Sequence, residues 1–464
     1  MNPQEGSLPP DSAGPRHQPV PLHLLSDPPA LPGGAAGGAV PALFEEFRAQ
    51  SLPEWALVRQ RLESSEIGDV RAEVGAALGP VMAGIRPGMR VCLAVGSRGI
   101  DRIDQVVAAC VAAMRQAGAE VFVVPAMGSH GGATAEGQVQ VLAAYGITPE
   151  TVGCEIRASM DTVLLGEVRS GVPVFLDRVA FDGADAIVPI NRVKPHTDFS
   201  GAIESGLSKM IAIGLGKQRG ADALHRQGFA RFAELIPDVV AFTLARAPMP
   251  FGLALIENGQ SRLMQVEAVT AERLAEREPQ LLKVARAAMA GLPFRAIDVL
   301  VLDFIGKDIS GLGMDSNVVG RYYTGATGTG PDIQRIVVRD LTAETEGNAV
   351  GIGLADVVLR RAVERMDRLV TYMNCITAKT PEGARIALLV DTDRDALGVA
   401  IACCLQVTAD RARIVRARDT KHLEYLYVSS TVLPDLLASG AAELVEPARP
   451  IGFDPEGMFT QAMP

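Results

Sequence analysis

"GMRVCLAVGSRGIDRIDQVVAACVAAMRQAGAEVFVVPAMGSHGGAT", Gly88 to Thr134, decides the fold class. "MRVCLAV" is a short apolar run, "RIDQVVAACVAAMRQAG" has helical spacing with Gly118 as its stop, and "AEVFVVPAM" is a second apolar run. A strand, helix, strand unit of this kind implies parallel strands covered by helices.

The same alternation extends outward. "VPVFLDRVAF" and "ADAIVPI" read as further strands, and "ARFAELIPDVVAFTLARA" has helical spacing that Pro237 is expected to break or bend. "PFGLALIEN" and "RLMQVEAV" read as paired strands, followed by "TAERLAEREPQLLKVARAAMA", an amphipathic helix with a threonine cap. After "GLPFRA" the pattern restarts with "IDVLVLDFI", which puts a domain boundary near residue 293. Strands "QRIVVRDL" and "ARIALLVD" lie beyond it, with helices "LADVVLRRAVERM", "RDALGVAIACCL" and "STVLPDLLASG". Residues 1–40 are dense in Pro and Gly without a period, so a flexible tail is expected there, with His17 and His23 solvated. The expected fold is α/β: the tail, one α/β domain over 41–292 and a second over 293–464, both with mainly parallel sheets.

A chain of 464 residues exceeds one typical core, in keeping with two domains. With 48% hydrophobic and 21% charged residues it can bury large cores. Its longest apolar runs fall short of the roughly 18 to 20 residues of a membrane helix, so a soluble protein is expected. A formal charge of -10 argues against a nucleic-acid binder, whose phosphate contacts need a basic face. Cys92, Cys110, Cys154, Cys375, Cys403 and Cys404 sit mostly in apolar stretches with no Cys-x-x-Cys pair, as free buried thiols of a reducing cytoplasm would. No basic segment leads into an unbroken apolar one near the N-terminus, so no secretory signal is expected and the localisation read is cytoplasmic.

Ligands of α/β sheets bind where strands end and loops begin. The loop "GSRGID", Gly96 to Asp101, lacks the G-x-G-x-x-G spacing of a dinucleotide site. Ser97 and Arg98 there either approach a single phosphate or form a tight turn with a surface arginine. In "MGSHGGAT" His130 stands between glycines that let the backbone come close to a ligand, as a site residue or as a solvated turn residue. "ADAIVPI" runs into "NRVKPHTDFSGAIESGLSKM", where His196 follows the apolar run by a few residues. If these three strands are neighbours, Arg98, His130 and His196 share one sheet edge. Lys209 and His225 flank "GLGK"; helices joined by that turn would present both to one cleft, against the plain alternative of a lysine at a helix end and a solvated histidine.

The set "SR", "GSHGGAT", "VKPHTDFSG", "SKM" and a histidine sixteen residues after that lysine resembles the lactate racemase family, racemases and epimerases of 2-hydroxy acids. The resemblance covers about residues 90 to 230, and the C-terminal part by general layout. It implies a cofactor, the nickel pincer nucleotide (nickel pyridinium bisthiocarboxylate mononucleotide), in a cleft between two α/β domains. His130 and His196 match the family's catalytic histidines, Lys209 its tethering lysine, His225 its nickel ligand, and Arg98, with Ser97 beside it, an arginine that helps hold the ligands. Val95 stands where the family has an aspartate, and the spacing from His196 to Lys209 is three residues longer. For a substrate-site lysine the candidate is Lys307 in "DFIGKDISG"; for the substrate carboxylate Arg98, Lys194, Lys307 and Arg321 are available.

The resemblance implies inversion of a small 2-hydroxy acid by hydride abstraction and return, with two histidines as acid and base because each enantiomer presents its hydroxyl on a different side. The implied partners are that substrate and, transiently, the cofactor-synthesis enzymes, with neither nucleic acid nor membrane. Two other classes compete. One is a metabolite-binding homologue that has lost its chemistry; the other is a zinc hydrolase with His130, His196 and His225 as ligands, which lacks an H-E-x-x-H spacing and leaves Lys209 idle.

Overall fold

A computed structural model describes residues 40–96, 99–325 and 330–464, of which Phe47–Pro464 form one compact unit. Its architecture is mixed α/β, with sixteen named strands among the described residues. Two large sheets carry fourteen of them. The six-stranded one contains β2 (Arg90–Val95), β3 (Glu120–Pro125), β4 (Glu155–Ile156), β7 (Ala186–Arg192), β8 (Phe251–Glu257) and β9 (Leu263–Thr270), in the order β4-β3-β2-β7-β8-β9. Only β9 runs antiparallel to its neighbour. β5 (Thr162–Glu167) and β6 (Pro173–Asp177) form a separate antiparallel pair.

The eight-stranded sheet holds β10 (Ala296–Ile305), β11 (Asp332–Leu341), β12 (Val357–Leu359), β13 (Leu388–Val390), β14 (Ile414–Ala417), β15 (Tyr425–Ser429) and β16 (Ala442–Arg449). It also takes in β1 (Trp55–Gln60), a strand from the N-terminal side of residue 293, which lies antiparallel between β15 and β16. Trp55 is fully buried there and stacks on Tyr427 at 4.8 Å.

Helices cover the sheets as the apolar spacing directs. α1 (Ile103–Gln116) buries Ile103, Val106, Val107, Cys110, Val111 and Met114, one face repeating every three to four residues. α2 (Ala135–Ala144) begins at Thr134, whose hydroxyl accepts from the Gly137 amide at 3.0 Å. α3 (Lys217–His225) and α4 (Phe232–Leu244) follow, and α5 (Leu274–Ala288) closes this half. The expected break at Pro237 does not occur: α4 runs through it, because Phe232, Leu235, Ile236, Val239 and Val240 are all buried and hold the helix on both sides of the one missing N–H bond. "VPVFLDRVAF" divides instead. Asp177 ends β6 and caps the helix Arg178–Gly183, accepting from the Ala180 amide at 2.9 Å. Among the described residues no helix is long and apolar enough to cross a membrane, and the six cysteines are free, five of them buried.

Candidate active site

β2 lies between β3 and β7, so the segments that leave these three parallel strands emerge at one edge of the sheet. The first begins at Gly96, where a Cβ would meet Met210 at 2.9 Å and Asn191 at 3.1 Å. Ser97 and Arg98, expected to contact cofactor or substrate, lie outside the described residues.

After β3 the chain turns on glycines. Gly128 has φ +60 and its amide donates to Gly214 O at 3.1 Å, which ties this loop to the segment that carries Lys209 and His225. Gly131 has φ +65, and a Cβ there would stand 2.6 Å from the Gln138 amide nitrogen, so a side chain is excluded by both conformation and space. Between them His130 is exposed, its amide donating to Met127 O at 3.1 Å.

After β7, His196 is held on several sides. Its amide donates to Glu204 Oε2 at 2.6 Å, and buried Glu204 also accepts from the Gly201 amide at 3.0 Å and from Arg286 at 2.8 Å. The ring packs on Phe199 with centroids 4.4 Å apart. Nδ1 accepts from the Asp198 amide at 2.9 Å, and Nε2 is the ring atom in contact with the Lys209 amine. Asp198 Oδ2 stands 3.6 Å from Nδ1.

Lys209 ends the short helix Leu207–Lys209, which a π-helical turn over Met210–Gly214 continues. The preceding Ser208 donates through its amide to Glu278 on α5, at 3.2 and 3.1 Å to the two carboxylate oxygens, and through its hydroxyl as well. Gly206 makes room for that carboxylate: a Cβ there would stand 1.9 Å from Glu278 Oε1. Burial pushes the Glu278 carboxyl up to about 7.

His225 sits at the end of α3, with Nδ1 2.7 Å from Ala221 O. A carbonyl only accepts, so Nδ1 carries the hydrogen and Nε2 keeps its lone pair. Burial first, then the neighbouring Lys209, pushes this imidazole down to about 4, so it is neutral at pH 7. Phe229 and Phe232 flank the ring at 5.5 and 5.4 Å.

These groups share one cavity of about 230 Å³, lined by His130, His196, Lys209 and His225, with Met210 between and Lys307 from the C-terminal half. It adjoins a cleft of about 920 Å³ that shares His130, Lys194 and Lys307. Lys307 follows β10 and donates to Gly311 O at 2.7 Å; Lys194 pairs with Asp315 at 3.8 Å. Arg321 lines neither cavity. It pairs with Asp356 at 2.5 Å and donates to three backbone carbonyls, so its guanidinium is engaged away from both. Among the described residues no three His, Cys, Asp or Glu side chains are arranged to hold a metal ion, so the three-histidine zinc site is not formed.

Sequence reasoning passed over the residues behind this set. Asn317 Nδ2 donates to His196 O at 3.1 Å and the Thr324 hydroxyl to Asp198 O at 2.5 Å, both from the C-terminal half. Glu204 in "GAIESG" was visible as a lone acid beside apolar residues, a signal of burial with partners, whereas Glu278 in "AEREPQ" gives no such signal. No family model and no curated protein matches the chain. Among solved structures it is similar to the lactate racemase apoprotein from Thermoanaerobacterium thermosaccharolyticum, with 12% identity and a TM-score of 0.47 over 79% of this chain and 99% of that one.

Proposed function

We propose that the protein is a racemase or epimerase of a 2-hydroxy acid that works with a nickel pincer nucleotide, His130 and His196 being its acid and base. One observation carries this reading: His130, His196, Lys209 and His225, far apart in the chain, line a single small cavity. The residues fit the cofactor. His225 offers a neutral imidazole with Nε2 as donor atom, the form that ligates a metal. Lys209 beside it would hold the nucleotide covalently, with Ser97 and Arg98 as further contacts. A metal here must bring most of its own ligands, since no set of three protein donors is placed for it.

When bound, the group supplies a hydride acceptor, which suits a carbon whose hydrogen is too weakly acidic to leave as a proton. The protein's own work is with the hydroxyl proton. As the C–H bond breaks, a base must take that proton, and the two enantiomers offer it from opposite sides, so His130 and His196 each serve one. For His196 the exchange would run at Nε2, which needs the ring hydrogen on Nδ1, turned from the Asp198 amide to Asp198 Oδ2 3.6 Å away. Lys194 and Lys307, which line the cavity together with Arg192 and Lys209, would hold the substrate carboxylate. Phe199 and Phe229 keep the surroundings of His196 apolar, which strengthens each of these contacts.

Protein made together with the cofactor-synthesis enzymes is expected to show, by intact mass and peptide analysis, a nickel-containing adduct on Lys209. His130→Ala and His196→Ala should each lower racemisation by about 100-fold to 10,000-fold. An unmodified Lys209, or full activity in both variants, overturns the reading. Ligand binding without turnover would mark a binding homologue instead.

A further inference from the structure

Lys217 is the one fully buried lysine among the described residues, and none of the chemistry above uses it. It opens α3 with φ +53, a left-handed conformation that glycine adopts without steric cost and lysine does not. What the side chain touches accounts for its presence. Nζ donates to Pro125 O, the last carbonyl of β3, at 2.6 Å and to Gln138 Oε1 at 3.0 Å, and forms an ion pair with Asp177 Oδ2 at 2.9 Å. Asp177 is likewise fully buried.

Gln138, on α2, is also wholly buried and spends its other end on the loop above it. Its Nε2 donates to Gly128 O at 2.9 Å and to His130 O at 3.3 Å. The acceptor end is fixed by Lys217, so the amide is oriented and its two N–H groups point at the two carbonyls that bracket Ser129. A buried ion pair is poor value as stabilisation, because desolvation offsets most of the attraction. A chain of contacts that ends on the backbone of His130 gives it another use. We infer that Lys217 and Gln138 are positioning residues that fix the His130 loop against the head of α3, the helix whose far end carries His225. The catalytic consequence rests on the racemase reading; the placement of His130 does not.

Lys217→Met leaves Asp177 buried without its partner and can fail to fold, so Gln138→Glu is the deciding variant. It keeps an acceptor for Lys217 and removes both donors to the loop. With [13C]histidine-labelled protein, the His130 ring signal, identified by its absence in His130→Gln, is expected to shift or broaden in Gln138→Glu. The signal of His422, held elsewhere by Asp419 at 2.8 Å, is expected to stay. In the cofactor-loaded enzyme kcat should fall about 10-fold to 100-fold with KM changed much less, as misplacement of an acid-base group does. A folded Gln138→Glu with an unaltered His130 signal overturns the inference, whatever the activity. A moved His130 signal in a protein with no racemase activity leaves the inference standing and removes the racemase reading.

Discussion

Two of the buried charge clusters among the described residues answer to different demands. In the C-terminal half, Asp303 on β10, Arg339 on β11, Arg416 on β14 and Asp393 interlock across adjacent strands. Arg416 grips Asp303 with two bonds of 2.8 Å, and Arg339 grips Asp393 at 2.7 and 2.5 Å. The outermost contacts of this cluster reach the end of the chain: Asp393 accepts from the Phe459 amide at 2.8 Å, Arg416 donates to Gln461 O at 2.7 Å, and its guanidinium lies 4.6 Å from the Phe459 ring. None of the four lines either cavity. The Lys217 cluster has one cation and ends on His130. Burial and pairing are alike in the two; the last group each one holds tells them apart.

The sharpest way to break this contrast is to remove Asp393. Asp393→Ala leaves Arg339 with half its carboxylate partners and the Phe459 amide without its acceptor, and losing one side of a buried pair costs about 3–5 kcal/mol. Urea unfolding should show that loss while the His130 ring signal stays in place. A moved His130 signal would mean that the two clusters are coupled and the contrast is false.

Glu278 sharpens it from another direction, as a buried acid whose bonds go to Ser208 rather than to a cation. Burial lifts its carboxyl from 4.5 to about 7. The folded chain therefore binds this proton more tightly than the unfolded one. Its contribution is fully present below 4.5 and is lost as pH rises through about 7. At about 1.4 kcal/mol per pH unit that amounts to about 3 kcal/mol. Unfolding free energies measured at pH 4.5 and pH 8 should fall with pH in the native protein by that much more than in Glu278→Gln. Equal slopes would show that the carboxyl is hydrated in solution.

The parts of this arrangement that sequence could reveal are the parts with a local period. Gly88 to Thr134 reads correctly because its apolar residues alternate between strand length and helical spacing within one short stretch. The glycines around His130 are equally legible, since each marks a backbone conformation. β1 is not: Trp55 pairs with Ser429 and Arg449, and nothing local to Trp55 names partners so distant. β12 was hidden inside "LADVVLRRAVERM", where three apolar residues before a charged helix look like its first turn. Lys217 reads as a turn lysine in "GLGKQRG" because the carbonyl, amide and carboxylate that enclose it come from residues 125, 138 and 177. Pattern shows which face is apolar; it does not show which polar group that face conceals.

Asn317 provides the smallest and most local test. It lies on the short helix Ser316–Val319, and its side chain is fully engaged: Nδ2 donates to His196 O at 3.1 Å and to Asp315 Oδ1 at 3.0 Å, while Oδ1 accepts from the Tyr322 hydroxyl at 3.0 Å. Through it the C-terminal half holds the His196 loop, much as Gln138 holds the His130 loop from within its own half. The difference is burial. Gln138 is sealed, whereas Asn317 is partly open, so water can replace what Asn317→Ala removes. A neutral hydrogen bond of this kind is worth about 1 kcal/mol, roughly a fivefold change in the population of the held loop. Amide deuterium exchange across residues 193–200 should therefore quicken about fivefold in Asn317→Ala with global stability nearly unchanged. Unchanged exchange would assign the hold on His196 to Glu204 and Phe199 alone, and would leave the His130 and His196 loops positioned entirely from the half that carries them.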